Sequence, residues 1–289
     1  MTGANPSTPP SDATGSVDLH THSTYSDGTL TPSALVAEAK RRSLRVIALT
    51  DHDTLAGLPE AEQASRDTGL KFIPGVELST NSGSFETHVL GYYVNSSDVV
   101  LTARLSELAA QRVTRAERIV ERLNTLGIPV TMERVREIAG TGSIGRPHIA
   151  RAIIELGHAE SVSDAFDLFL GTSRPGFVPR ERALPEDSVR MLVAAGALPV
   201  LAHPLSTGDI EGMLNRLVPV GLVGMEVYYG EYDVATRNEL AGRAARWNLI
   251  PTGGSDYHGP GFKEGRELGA AAVPVSVSRR LHERFELGR

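Results

Sequence analysis

Short apolar runs that end on a histidine or a carboxylate recur along this chain, and their phase limits what it can fold into. Val17-Asp18-Leu19 leads into His20 and His22. Arg45–Thr50 ends in Asp51-His52-Asp53, and Lys71–Val76 ends in Glu77. Glu86–Val94 contains His88. Ala197–Ala202 ends in His203, Leu222–Val227 contains Glu226, and Leu249–Gly254 leads to Asp256 and His258. Runs of this length, separated by amphipathic stretches, read as buried strands alternating with helices. Polar groups at the C-terminal ends of successive parallel strands are how a βα barrel builds its site. Of nine histidines, six (20, 22, 52, 88, 203 and 258) fall on or beside a strand end. Scattered structural histidines would not keep this phase.

The first run shows the chemistry. Asp18, His20 and His22 are spaced i, i+2, i+4. On a strand such residues share one face, so two imidazoles converge with a carboxylate behind them. The carboxylate can hold a ring N–H and fix the ligating tautomer. Asp27, just beyond, can add an oxygen ligand. The chain has no cysteine, so any metal is held by nitrogen and oxygen, which points to Zn, Mn, Fe or Mg. Asp27, Asp51, Glu77 and Asp256 with six imidazoles are too many ligands for one ion, so two or three are expected. Sites of that kind mostly hydrolyse phosphate esters. One ion generates hydroxide from water, and the ions together clamp the attacking and leaving oxygens.

The rhythm changes in the middle. From about Asp98 to Gly171 the pattern is helical throughout. Val99–Leu126 carries an apolar stripe that includes Leu101, Leu105, Ile119 and Leu123, and Gly127 closes it. Thr131 caps a helix running to Ala139. Gly145-Arg146-Pro147-His148 opens another, with Pro147 at its first position, and Ser163–Leu170 is the last. The expected organisation is a barrel domain from 17–97 and 179–289, a helical insertion over 98–178, and a flexible tail at 1–16. That tail lacks the basic start and apolar segment of a secretory signal. No run is long enough to cross a bilayer, so a cytoplasmic location with no membrane partner is expected. A 40% hydrophobic content allows a sizeable core, and a net charge of −6 argues against a broad nucleic-acid-coating surface.

Taken in order, His20-x-His22, Asp51-His52, Gly75-Val76-Glu77, His88, Ala202-His203-Pro204 and Ser255-Asp256-x-His258 resemble the motifs of the PHP (polymerase and histidinol phosphatase) superfamily. The resemblance spans 17 to about 275. The insertion with Gly145-Arg146-Pro147-His148 resembles the stand-alone members that act on nucleoside 3′,5′-bisphosphates and on the 5′ ends of short RNA. It implies an α/β fold, a distorted (β/α)7 TIM-like barrel, and a centre of two to three divalent ions, with Mn²⁺ first and Fe²⁺, Zn²⁺ or Mg²⁺ as alternatives. By matching motifs, one ion takes His20, His22, Glu77 and Asp256. A second shares Glu77 and takes His88 and His203. A third takes Asp27, His52 and His258. Asp256 and Asp51 are the catalytic candidates, Asp256 by orienting or deprotonating the attacking water. Asp18 and Asp51 are placed behind the ligands, holding rings or a water, and Asp51 has a direct ligand role as its alternative.

The implied activity is hydrolysis of a phosphate ester on a 3′,5′-bisphosphate nucleotide or AMP, with 5′-3′ exoribonuclease action on short RNA. The partner is therefore a nucleotide or short oligonucleotide, and no obligate protein partner is evident. The alternatives are a histidinol-phosphate phosphatase or other small phosphomonoesterase, a nuclease serving a polymerase, and a non-catalytic metal-containing nucleotide-binding module. For substrate phosphate the candidates are Arg146 and His148 at a helix N-terminus, where main-chain N–H groups and an Arg fork suit an anion. Arg112 and Arg115 are further candidates. Glu226 and Tyr228 either line the pocket or pack beneath a loop.

Overall fold

The computed structural model describes residues 16–82, 85–140, 142–179 and 184–288. Apart from Ser16, the tail expected at 1–16 lies outside them. Seven strands stand in chain order around one sheet: β1 (Val17–Asp18), β2 (Val46–Leu49), β3 (Lys71–Ser82), β4 (Phe85–Tyr92), β5 (Leu198–Leu201), β6 (Gly224–Tyr229) and β7 (Ile250–Gly254). The edges meet. Leu19 N donates to Gly253 O at 3.3 Å, and His22 N donates to Tyr257 O at 2.9 Å. The result is a nearly closed barrel.

The helices are α1 (Pro32–Arg41), α2 (Leu58–Thr68), α3 (Val99–Thr125), α4 (Met132–Ala139), α5 (Arg146–Glu155), α6 (Val162–Ala165), α7 (Pro185–Ala194), α8 (Ile210–Leu217), α9 (Val234–Arg246) and α10 (Val275–Glu286). A π-helical turn, Phe166–Leu170, follows α6. Cap chemistry starts several of them as the residues suggest: Thr31, Asp98, Thr131 and Asp233 each accept a main-chain N–H of the first turn. Among the described residues, no helix is long and apolar enough to cross a membrane.

Three apolar clusters hold the chain together. One packs the outer faces of the strands against α1, α2, α7, α8 and α9. A second fills the barrel with alternate strand residues such as Leu19, Ala48, Ile73, Leu90 and Val200, and Val277 and Leu281 of α10 join it. The third lies wholly in the helical segment, among Ile119, Leu123, Val135, Ile149, Ile153 and Leu170. The first half of α3 belongs to the barrel cluster through Leu101 and Leu105, and its second half to the helical one.

Two elements differ from the sequence expectation. β4 runs antiparallel to both β3 and β5, so the mouth of the barrel lies at its N-terminal end. That is why His88, early in β4, still joins the other strand-end groups. From sequence, the apolar run Ala270–Val273 reads as a short last strand. These residues instead form a turn whose Ala271 and Val273 fill the barrel end beside α10.

Candidate metal centre

Glu77 sits at the middle of the barrel mouth. Its Oε2 lies 3.2 Å from His20 Nε2, 3.3 Å from His22 Nε2 and 3.1 Å from His52 Nδ1. Its Oε1 lies 2.8 Å from His88 Nδ1 and 3.1 Å from His203 Nε2. Asp256 Oδ1 is 3.1 Å from His22 Nε2 and 3.5 Å from His20 Nε2. Asp27 presents Oδ1 to His258 Nε2 at 3.3 Å and Oδ2 to His52 Nε2 at 3.7 Å. Three sets of donor atoms each close to within 4.8 Å: His22, Asp27, His52 and His258; His20, His22 and Glu77; and His52, Glu77 and His88.

The hydrogen bonds behind these groups decide which lone pairs face the centre. His20 Nδ1 lies 3.0 Å from Glu226 Oε1, so its proton sits there and Nε2 is left as an acceptor. His258 Nδ1 donates to the Asp256 carbonyl at 2.8 Å, which turns its Nε2 lone pair towards Asp27. Ser26 Oγ donates to Asp51 Oδ1 at 2.6 Å and lies 3.5 Å from His22 Nδ1. It can therefore accept the His22 proton. His20 Nε2, His22 Nε2 and Asp27 Oδ1 are buried without a hydrogen-bond partner. Buried acceptors facing other acceptors carry a desolvation cost that a cation between them removes. An all-nitrogen-and-oxygen set of this kind fits divalent ions.

Charge is concentrated here as well. Burial alone would raise the carboxyls of Glu77, Asp27 and Asp256. The surrounding imidazoles, and Arg266 at Asp256, outweigh it and hold all three well below the ordinary range. Burial alone would lower His22, but without an ion its contacts with Asp256 and Glu77 push it up to about 10, a proton that a cation at Nε2 would displace. Burial keeps His52 and His88 below the usual imidazole value.

Some expected residues serve other roles. Asp51 does not reach the centre. Its Oδ1 accepts from Ser23 N and Ser26 Oγ and its Oδ2 from Ser23 Oγ, all within 2.6–2.7 Å, so the carboxylate is engaged by the 23–26 loop. Asp18 holds no ring. It accepts from Ser255 N, Ser255 Oγ and Gly269 N at 2.6–2.9 Å and ties β1 to the segment after β7. His148 is buried, and its Nδ1 accepts from Gly145 N at 3.0 Å, closing the start of α5. Burial lowers it to about 4, so it is neutral and a weak partner for phosphate. Arg146 lines the cavity, pairs with Glu86 and donates to Leu170 O at 3.1 Å. Tyr228 packs against the cores rather than lining the cavity.

Other residues carry more than their sequence context suggests. Glu226 is fully buried and also accepts from His203 N at 2.7 Å, so one carboxylate fixes two elements of the centre. Tyr229 OH and Arg266 Nη1 both bind Asp256 Oδ2 at 2.7 Å. His203 and Asp256 hold left-handed backbone, with φ of 24° and 55°, the kind of local strain found at functional sites. Above the centre opens a cavity of roughly 500 Å³. Arg112, Arg115, Arg146 and Arg266 line it, and Ile119 and Phe166 form an apolar wall from the helical segment. Arg115 and Arg146 share Glu86 between them.

The chain is similar to known proteins in sequence and in structure. Residues 18–128 match the model of the PHP domain. The chain is 33% identical over 275 residues to the 3′,5′-nucleoside bisphosphate phosphatase of Chromobacterium violaceum, covering 93% of this chain and 96% of that one. It is 34% identical over 249 residues to the 5′-3′ exoribonuclease Rnm of Escherichia coli, covering 84% and 85%. The solved structure of a protein proposed to be a metal-dependent phosphoesterase, from Bifidobacterium adolescentis, superposes with a TM-score of 0.86 at 31% identity, covering 96% and 98%. Similarity of this extent, over both the barrel and the helical segment, places the chain in the PHP family.

Proposed function

We propose that the chain is a metal-dependent phosphoesterase that hydrolyses a phosphate ester on a nucleotide. Its first substrate class is the nucleoside 3′,5′-bisphosphate or AMP, and 5′-3′ cleavage of short RNA is a second activity of the same site. The observation that carries this reading is Glu77 among five imidazoles, with buried unpartnered acceptors beside it, under an arginine-lined cavity. The names of the relatives point the same way. A histidinol-phosphate-sized substrate would leave much of that cavity empty.

His20, His22, Glu77 and Asp256 would hold one ion, Glu77, His88 and His203 a second, and Asp27, His52 and His258 a third. Mn²⁺ suits this set, with Fe²⁺, Zn²⁺ or Mg²⁺ as alternatives. Bound there, such ions supply Lewis acidity and lower the pKa of water. The chain's own groups do the rest. Asp256, with Oδ2 pinned by Tyr229 and Arg266, turns Oδ1 to the attacking water and orients it. Glu226 and Ser26 keep His20 and His22 in their ligating tautomers. Arg146 meets a second phosphate, and His148 shapes the helix start that carries it. The segment 98–178 acts as a cap domain over the mouth.

The test is phosphate release in Mn²⁺ from a 3′,5′-bisphosphate nucleotide, AMP, histidinol phosphate and a 5′-phosphorylated oligoribonucleotide. His22→Ala and Asp256→Asn are expected to abolish release while leaving the circular dichroism spectrum unchanged. Near-normal turnover in both variants would sink the assignment.

A further inference from the structure

We infer that the helical insertion builds one of the three ion sites, the one formed by Asp27, His52 and His258, and so acts as more than a cover. This rests on the three-ion reading above. The insertion grips the loop that carries Asp27. Ser143 N donates to Tyr25 O at 2.8 Å, and Arg151 Nη2 donates to Asp27 O at 2.9 Å. Gly142 packs main chain against main chain. A Cβ there would lie 2.5 Å from Thr24 O and 2.7 Å from Ser26 O, closer than any side chain permits. The same helices reach the second ligand. Arg112, on α3, donates from Nη2 to Ser79 Oγ at 2.5 Å, and that hydroxyl lies 3.4 Å from His52 Nδ1. Its Nε pairs with Asp53 Oδ2 at 2.5 Å, and Asp53 Oδ1 accepts Ser79 N at 3.0 Å. The Asp53 carboxylate offsets the guanidinium charge, so Arg112 can sit near a cation site and act through geometry.

The other groups are supported differently. His20 and His203 lean on Glu226 of β6, and Asp256 leans on Tyr229 and Arg266. All of these come from the barrel and the segment after β7. Around Glu77 only His22 draws on loop 24–27, through Ser26 at 3.5 Å, so most of the support for those two ion sites comes from the barrel. The third ion needs residues 112–151 seated on loop 24–27, and Arg112, Gly142 and Arg151 are positioning residues for it. Loss of such supporting bonds weakens a metal site roughly 10–100-fold.

The experiment strips the full-length protein with chelator, titrates Mn²⁺ back and counts bound ions per chain by mass spectrometry. The wild type is expected to bind three ions. Arg151→Ala and Gly142→Ala are expected to keep two at unchanged affinity and to bind the third roughly 10–100-fold more weakly. Arg134→Ala, an exposed ion-pair residue of α4, is expected to keep all three. Thermal unfolding verifies that each variant is folded; if Gly142→Ala is not, Arg151→Ala decides. Full binding of three ions by the folded variants overturns the inference, as does uniform weakening of all three. A wild type that binds fewer than three ions overturns the three-ion reading itself.

Discussion

A single carboxylate behind the centre, Glu226, accepts two N–H groups, His20 Nδ1 and His203 N. A glutamine offers one oxygen in its place, so Glu226→Gln leaves one buried donor unmatched. Metal affinity is expected to fall about 10–100-fold, with the fold intact, as read by calorimetric Mn²⁺ titration; unchanged affinity would remove Glu226 from the account. His148 supplies a pH signature. Burial holds it at about 4 in the folded chain, against about 6.5 for an unfolded histidine. As pH falls through that window the unfolded chain takes a proton that the folded chain refuses, so stability drops, by up to about 3 kcal/mol. Urea unfolding from pH 7 to pH 4 is expected to show a shallower loss in His148→Gln than in wild type. The nine residues marked in the sequence as ligands do converge, because period-two spacing and strand-end phase are local signals. What Asp51 and His148 bond to depends on loops distant in sequence or on cap geometry, and neither motif position nor residue type reveals it. Arg266 reaches Asp256 from a loop that carries no motif.

The barrel seam is the element on which the centre depends most. β1 is only two residues long, and His20 lies just past it, against β7. A Cβ on Gly254 would stand 2.4 Å from His20 N and Cβ. Gly254→Ala therefore forces the seam apart at a ligand. The expected cost is about 1–3 kcal/mol, with weaker metal binding, measured by thermal unfolding and Mn²⁺ content together; a variant with wild-type values of both would contradict the seam's role. Strand positions were readable because each is a short apolar run. The direction of β4 was not, although Ser82-Gly83-Ser84 between two β-rich runs is a hairpin signal. α10 also carried a legible pattern, Val277 and Leu281 one turn apart after Pro274, and its apolar face joins the barrel interior.

At the scale of the whole molecule, a barrel brings candidate ligands from six of its seven strands together at one mouth, and a helical segment with its own apolar cluster closes over them. Leu123 is fully buried in that cluster. Leu123→Ala is expected to cost about 2–5 kcal/mol, read by urea unfolding, with hydrogen exchange rising in α3–α5 before it rises in the strands. The alternation of strands and helices and the helical insert were legible because each obeys a period. The packing of the insert on loop 24–27 was not, because it runs to main-chain groups of that loop, met by Gly142, Ser143 N and the Arg151 side chain, none of which carries a periodic signal. The most direct test of metal-dependent phosphoester hydrolysis by this chain is phosphate release from a nucleoside 3′,5′-bisphosphate by chelator-stripped protein as Mn²⁺ is returned. Release should be absent from the stripped protein and restored as the ions rebind. Full release by the stripped protein would contradict it.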